Sequence, residues 1–94
     1  RYAVNRGVLL DRLPKYGFGK LASADGAFYI YANIDELAQN SSVFCRKMLS
    51  DSGVAATPGI DFDPTRGKHY VRFSFAGATE DIIEACDRLE TWLC

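Results

Sequence analysis

The chain has 94 residues, 48% of them hydrophobic and 13% aromatic, which is enough for a cored domain and too apolar for a disordered segment. Eleven basic side chains face twelve acidic ones for a formal net charge of -1, so no cationic excess exists to grip a phosphate backbone. No apolar run approaches the roughly 20 residues that span a bilayer, so neither nucleic acid nor membrane is an expected partner.

Residues 1–13 carry Val4, Val8, Leu9 and Leu13 at helical spacing, with Arg6, Asp11 and Arg12 on the other side, and Pro14 is expected to stop the helix. Gly17, Gly19, Ser23 and the Asp25-Gly26 pair mark residues 15–26 as a loop. Within it Leu21 starts a short extended piece that could form a hairpin with the strand after Gly26. Residues 27–34 alternate as that strand, Phe28, Ile30, Ala32 and Ile34 against Tyr29, Tyr31 and Asn33. A helical turn is expected over residues 35–40. A clearer helix then runs to about residue 51, capped by Asn40 or Ser41 and ended by Gly53. Its apolar stripe reads as Val43, Phe44, Met48 and Leu49.

A short strand is expected over residues 54–57, broken by Pro58-Gly59, and then a long irregular loop over residues 60–68. Residues 69–76 form the clearest strand. Val71, Phe73 and Phe75 point one way, and Tyr70, Arg72 and Ser74 the other. Thr79 should cap a final helix that packs Ile82, Ile83, Cys86, Leu89, Trp92 and Leu93 inward. The element order predicts a small α+β domain over residues 1–94, a mainly antiparallel sheet covered by helices on one side.

Candidate chemistry is sparse. The sequence lacks GxGxxG, P-loop, HExxH and GxSxG signatures. His69 is the only histidine and reads as a solvent-exposed strand-end residue, so metal ligation is not expected. Asp61 and Asp63 could share acid–base work, but a hydrated turn explains them more simply. Lys15, Lys20, Lys47 and Lys68 all sit in polar surroundings that would not depress an amine pKa. Cys45, Cys86 and Cys94 are odd in number and have no CxxC pair; free thiols, the first two buried, and a cytoplasmic location are expected. Arg72 remains, held mid-strand and flanked by Tyr70 and Ser74. A rigidly placed guanidinium suits bidentate capture of a carboxylate, although an arginine on an edge strand can also serve solubility alone.

Several stretches, in order, carry a resemblance. Asp25-Gly26-Ala27-Phe28-Tyr29-Ile30-Tyr31 resembles the "dGaFYly" strand of pyridoxal-phosphate aminotransferases of fold type I, the aspartate-aminotransferase-like class. Met48-Leu49 with Gly53-Val54 through Pro58-Gly59 is similar to their "LL…GVavvPG" stretch, and Phe62 stands near the phenylalanine of "PG..F". Tyr70 to Ala76 resembles "yvRiSfA"; Arg88-Leu89 and the opening Asn5-Arg6 with Leu9 and Leu10 fit the family's two flanking helices.

The resemblance covers the family's C-terminal small domain only. It implies that a preceding large domain of the same chain carries the Schiff-base lysine and most contacts to pyridoxal 5′-phosphate. The start at Arg1 without a methionine agrees with an excised segment. It further implies amino acid and 2-oxo acid substrates, a homodimer when intact, and inactivity of these 94 residues alone. By the same resemblance Arg72 binds the substrate α-carboxylate, and no catalytic, cofactor-binding or metal residue is expected here. The residue 61–67 loop departs from the family form and is read as a subgroup trait without an active-site role. The alternative is a small α+β amino-acid-sensing module that also uses Arg72, and the reading frame upstream of Arg1 discriminates the two.

Overall fold

A computed structural model describes residues 2–23 and 28–94. Helix α1 spans Tyr2–Arg12. Leu9 and Leu13 are buried, but Val4 is 57% exposed and the inward place is taken by Asn5, which is fully buried. Residues 5, 9 and 13 lie four apart and so stack on one helix face, a register that turns Val4 outward. Pro14 does not end helical structure as expected. A 3-10 turn, Leu13–Tyr16, continues from α1 with the proline in its first turn, where no amide donor is required. Gly17 closes it with φ 106°.

Strands β1 (Leu21–Ser23) and β2 (Tyr29–Asn33) pair antiparallel, Leu21 opposite Ala32 and Ser23 opposite Ile30. The anticipated hairpin pairing is present, while its Asp25-Gly26 turn lies outside the described residues. Phe28, expected on the core side, is 44% exposed and meets Phe75 edge-on at 6.1 Å. After β2 comes a turn in which the amides of Leu37 and Ala38 both donate to the Ile34 carbonyl, each at 2.8 Å.

Helix α2 (Ser41–Ser52) begins at Asn40, whose side-chain oxygen accepts from the Ser42 and Val43 amides, and ends at Gly53 with φ 76°. Its buried face is Phe44, Cys45 and Met48; Val43 and Leu49, assigned to that stripe from sequence, are each 53% exposed. Strand β3 is Thr57–Pro58, later and shorter than expected. It forms the sheet edge, where a proline's missing donor costs no ladder bond. Strand β4 (Tyr70–Ser74) is central, and α3 spans Thr79–Leu93. Thr79 does not cap α3: the cap position is Ala78, and the Thr79 hydroxyl donates to Asn5 instead. Within α3, Cys86 and Leu89 are buried and Ile83 is 40% exposed.

The sheet order is β1-β2-β4-β3, antiparallel throughout. Ile30, Ala32, Val71 and Phe73 present one face to a core shared with Leu9, Leu13, Phe44, Met48, Cys86 and Leu89 of the helices. Phe18 stands at its centre, edge-on to Phe44 at 5.9 Å and to Phe73 at 5.4 Å. Burial pushes the Cys45 thiol up to about 11, so it stays protonated at neutral pH. Cys86 is likewise buried and raised, and Cys94 is exposed.

Candidate functional site

The sheet face away from the core is built by strand alternation. Val71 and Phe73 are buried, so Arg72 between them must emerge on the opposite side. Register sets its neighbours: Tyr31 of β2 and Thr57 of β3 both stand opposite Arg72. Tyr29 pairs with Ser74 one step along, and Tyr70 with Asn33 one step back. Tyr29, Tyr31 and Tyr70 therefore share a face with Arg72.

The guanidinium carbon of Arg72 lies 4.2 Å from the centroid of the Tyr29 ring and 4.9 Å from that of Phe62. Its Nε is buried and without a hydrogen-bond partner. Among the described residues no carboxylate lies within 4.0 Å of it, although Arg12, Lys15, His69 and Arg88 each have one. A half-buried guanidinium held by aromatic rings and left without an anion is an open receptor for one. Beside it is a shallow cavity of about 190 Å³ lined by Tyr29, Ala55, Ala56, Thr57, Arg72 and Ser74. A larger one of about 500 Å³ lies past Phe62, with Tyr31, Tyr70, Lys20 and Arg66 on its walls.

The remaining candidates fall elsewhere. His69 is half-exposed and, beyond what its sequence context suggests, bonded through Nδ1 to Asp35 Oδ1 at 2.7 Å. Asp63 accepts from the Thr65 and Arg66 amides at 3.1 Å each, a turn-closing role, and Asp61 is exposed. Lys15, Lys20, Lys47 and Lys68 are all exposed. Among the described residues no cluster of three or more His, Cys, Asp or Glu could hold a metal ion. A third cavity, about 610 Å³, lies at the seam of α2 and α3 and sets Asp51, Glu84 and Asp87 against Arg88. Its charge balance opposes anion binding, and Arg88 is already paired with Glu84.

Sequence reasoning did not find the contact of Phe62 with Arg72. The residue 60–68 region, expected to be irregular, contains two 3-10 turns, Gly59–Asp61 and Gly67–His69, and these bring Phe62 over the sheet. The two glycines were the available signal. A Cβ on Gly67 would collide with the Gly59 carbonyl carbon and the Ile60 nitrogen, so the backbones touch where only glycine fits.

Comparison with known proteins places this fold and this strand in one context. The chain is 52% identical over 92 residues to the valine–pyruvate aminotransferase of Mycobacterium tuberculosis, covering 98% of this chain and 24% of that protein. It is 34% identical over 89 residues to an aspartate aminotransferase of Pyrococcus horikoshii, covering 95% of this chain and 22% of the relative. Among solved structures, an aminotransferase from M. tuberculosis superposes with a TM-score of 0.92 at 52% identity, covering 98% of this chain and 24% of that one. The aromatic aminotransferase of P. horikoshii superposes at 0.88 with 36% identity, covering 98% and 24%. No family model matches the chain. The chain thus spans about a quarter of the length of the curated relatives it matches, and corresponds to their C-terminal α+β segment.

Proposed function

We propose that this counterpart of the aminotransferase C-terminal segment is the small domain of a pyridoxal-phosphate-dependent aminotransferase, residues 1–94, which moves an amino group between an amino acid and a 2-oxo acid. Within it Arg72 binds the substrate's α-carboxylate. The observation that carries the assignment is the unpaired guanidinium of Arg72, seated on a central strand against Tyr29 and Phe62 with no carboxylate within 4.0 Å among the described residues. A planar fork on a rigid strand meets a carboxylate with two parallel hydrogen bonds, which fixes the orientation of the substrate as well as its presence.

Pyridoxal phosphate would supply the electron sink for that chemistry. The residues of this chain do not fit it. The cavity beside Arg72 carries no lysine, and its lining of Tyr29, Ala55, Ala56, Thr57 and Ser74 offers neither a nucleophilic amine nor a second cation for a phosphate. In the proposed intact protein the cofactor is held by a preceding large domain, and the 94 residues alone are inactive. The working form we propose is a cytoplasmic homodimer; the free state of Cys45, Cys86 and Cys94 agrees with a reducing compartment.

The test is a steady-state comparison of the full-length protein with an Arg72→Lys variant. Lysine keeps the charge but loses the fork, so KM for the amino acid should rise by about tenfold or more, in line with the ~1.5–3 kcal/mol of a charge-assisted contact. An unchanged KM would remove Arg72 from carboxylate binding. Absence of any transamination, with pyridoxal phosphate supplied and a full panel of amino acids offered, would defeat the assignment as a whole.

A further inference from the structure

The residue 59–69 region looks unpromising in sequence, yet hydrogen bonds and backbone packing tie it down along its length. The Phe62 and Asp63 amides donate to the Gly59 carbonyl at 3.0 and 2.8 Å, and the Gly67 amide donates to the Asp63 carbonyl at 2.7 Å. Ser41, fully buried at the start of α2, donates its hydroxyl to the Gly67 carbonyl at 2.8 Å. Gly59 packs backbone to backbone on Gly67 and close to the Tyr70 carbonyl at the start of β4. The loop is thereby joined to α2 and to the strand that carries Arg72. What it presents from that platform is one ring, Phe62, 38% exposed, against the guanidinium at 4.9 Å. Tyr31 braces that ring edge-on at 5.4 Å.

We propose that Phe62 is a positioning residue for carboxylate capture: it holds the Arg72 guanidinium in its binding orientation from a braced loop. The proposal deepens the reading of Arg72 as carboxylate anchor and rests on it. An exposed arginine has several rotatable bonds, and freezing them is part of the cost of binding. A carboxylate neighbour would orient the fork too, but it would occupy the donors that the ligand needs. An aromatic face attracts the cation through its quadrupole and leaves the in-plane N–H groups free. Phe62 and Tyr29 both act on Arg72 in this way. The buried, unpartnered Nε is a consequence of that packing: it is closed off, so the fork is offered through its two terminal Nη nitrogens. Phenylalanine suits the position because its ring has no polar atom to compete for the carboxylate.

Phe62→Leu in the full-length protein keeps much of the bulk and removes the quadrupole. KM for the amino acid should rise about tenfold with kcat within about twofold, because a preorganisation contact acts on binding. Phe62→Tyr should restore KM to within about threefold of the parent. A simple monocarboxylate inhibitor should weaken about tenfold in Phe62→Leu, while its uncharged amide analogue binds parent and variant alike. A ring that merely packs the loop would shift thermal stability without separating acid from amide. If Phe62→Leu leaves KM and monocarboxylate affinity within about twofold while Arg72→Lys weakens both, the positioning role is wrong and the anchor stands. If Arg72→Lys also leaves both unchanged, the anchor fails and the positioning role with it. Equal losses in Phe62→Leu and Phe62→Tyr would likewise overturn the proposal. Should Phe62→Leu fold poorly, Phe62→Met provides the same comparison.

Discussion

At the scale of single residues, Arg72, half-buried and without a carboxylate within 4.0 Å among the described residues, contrasts with cations that have found an anion. Arg12 contacts Asp87 at 2.8 Å and Glu90 at 3.4 Å, and the Asp87 hydrogen bond holds its guanidinium firmly in the charged form. His69 is satisfied by Asp35. That second pair yields a pH-dependent prediction. The hydrogen bond from His69, and after it that from Asn33, holds the Asp35 carboxyl below its usual range. A carboxyl whose pKa falls on folding adds stability above its unfolded pKa and loses that stability as pH drops through the lower folded value. Asp35→Asn should therefore unfold at a lower temperature than the parent at pH 7, and the gap should close below roughly pH 4. Thermal melts across pH check this; a gap that persists at about pH 2 would mean the pair is not its source.

At the scale of elements, the two 3-10 turns between β3 and β4 turn an irregular stretch into a platform. Their contact is backbone on backbone, so it tolerates no side chain. Gly67→Ala should destabilise by more than about 2 kcal/mol, since neither the Gly59 carbonyl carbon nor the Ile60 nitrogen can move without opening the hydrogen bonds around them. Gly7, mid-way along α1, is the control, because a methyl group added there would meet nothing within 4 Å. Gly7→Ala should be neutral or stabilise by about 0.5–1 kcal/mol through lost unfolded-state freedom. Urea unfolding separates the two. The caps at Asn40 and Gly53 were legible from local chemistry, because each acts within one turn of its own residue. The extent of β3 was not, since its two residues pair only because β4 is there to receive them.

For the whole molecule, one polar side chain joins the two ends of the chain. Asn5 donates through Nδ2 to the carbonyls of Phe75 at 3.0 Å and Gly77 at 2.8 Å, and accepts from the Thr79 hydroxyl at 2.6 Å. It thereby fastens α1 to the end of β4 and the start of α3. Asn5→Ala would leave two carbonyls and a hydroxyl short of partners in a buried site and should cost about 2–4 kcal/mol. Denaturant titration followed by Trp92 fluorescence would measure it. A cost below about 0.5 kcal/mol would mean that solvent replaces all three bonds.

By itself the sequence determined the alternation that buries Val71 and Phe73 and turns Arg72 outward. It also determined the Asn40 and Gly53 caps of α2, the antiparallel α+β order and the motif series that resembles aminotransferases. These are periodic or local properties, carried by residues one to four positions apart, and a linear chain displays them directly. Only the tertiary structure decided which side chains surround Arg72. Phe62 reaches it from an aperiodic loop, and Asp35 is 34 positions from His69. Asn5, a polar residue beside Arg6, is buried through partners 70 and 74 positions away. No local propensity encodes such meetings. They arise when the packed sheet brings distant backbone together and leaves each polar or aromatic group a single place to be satisfied.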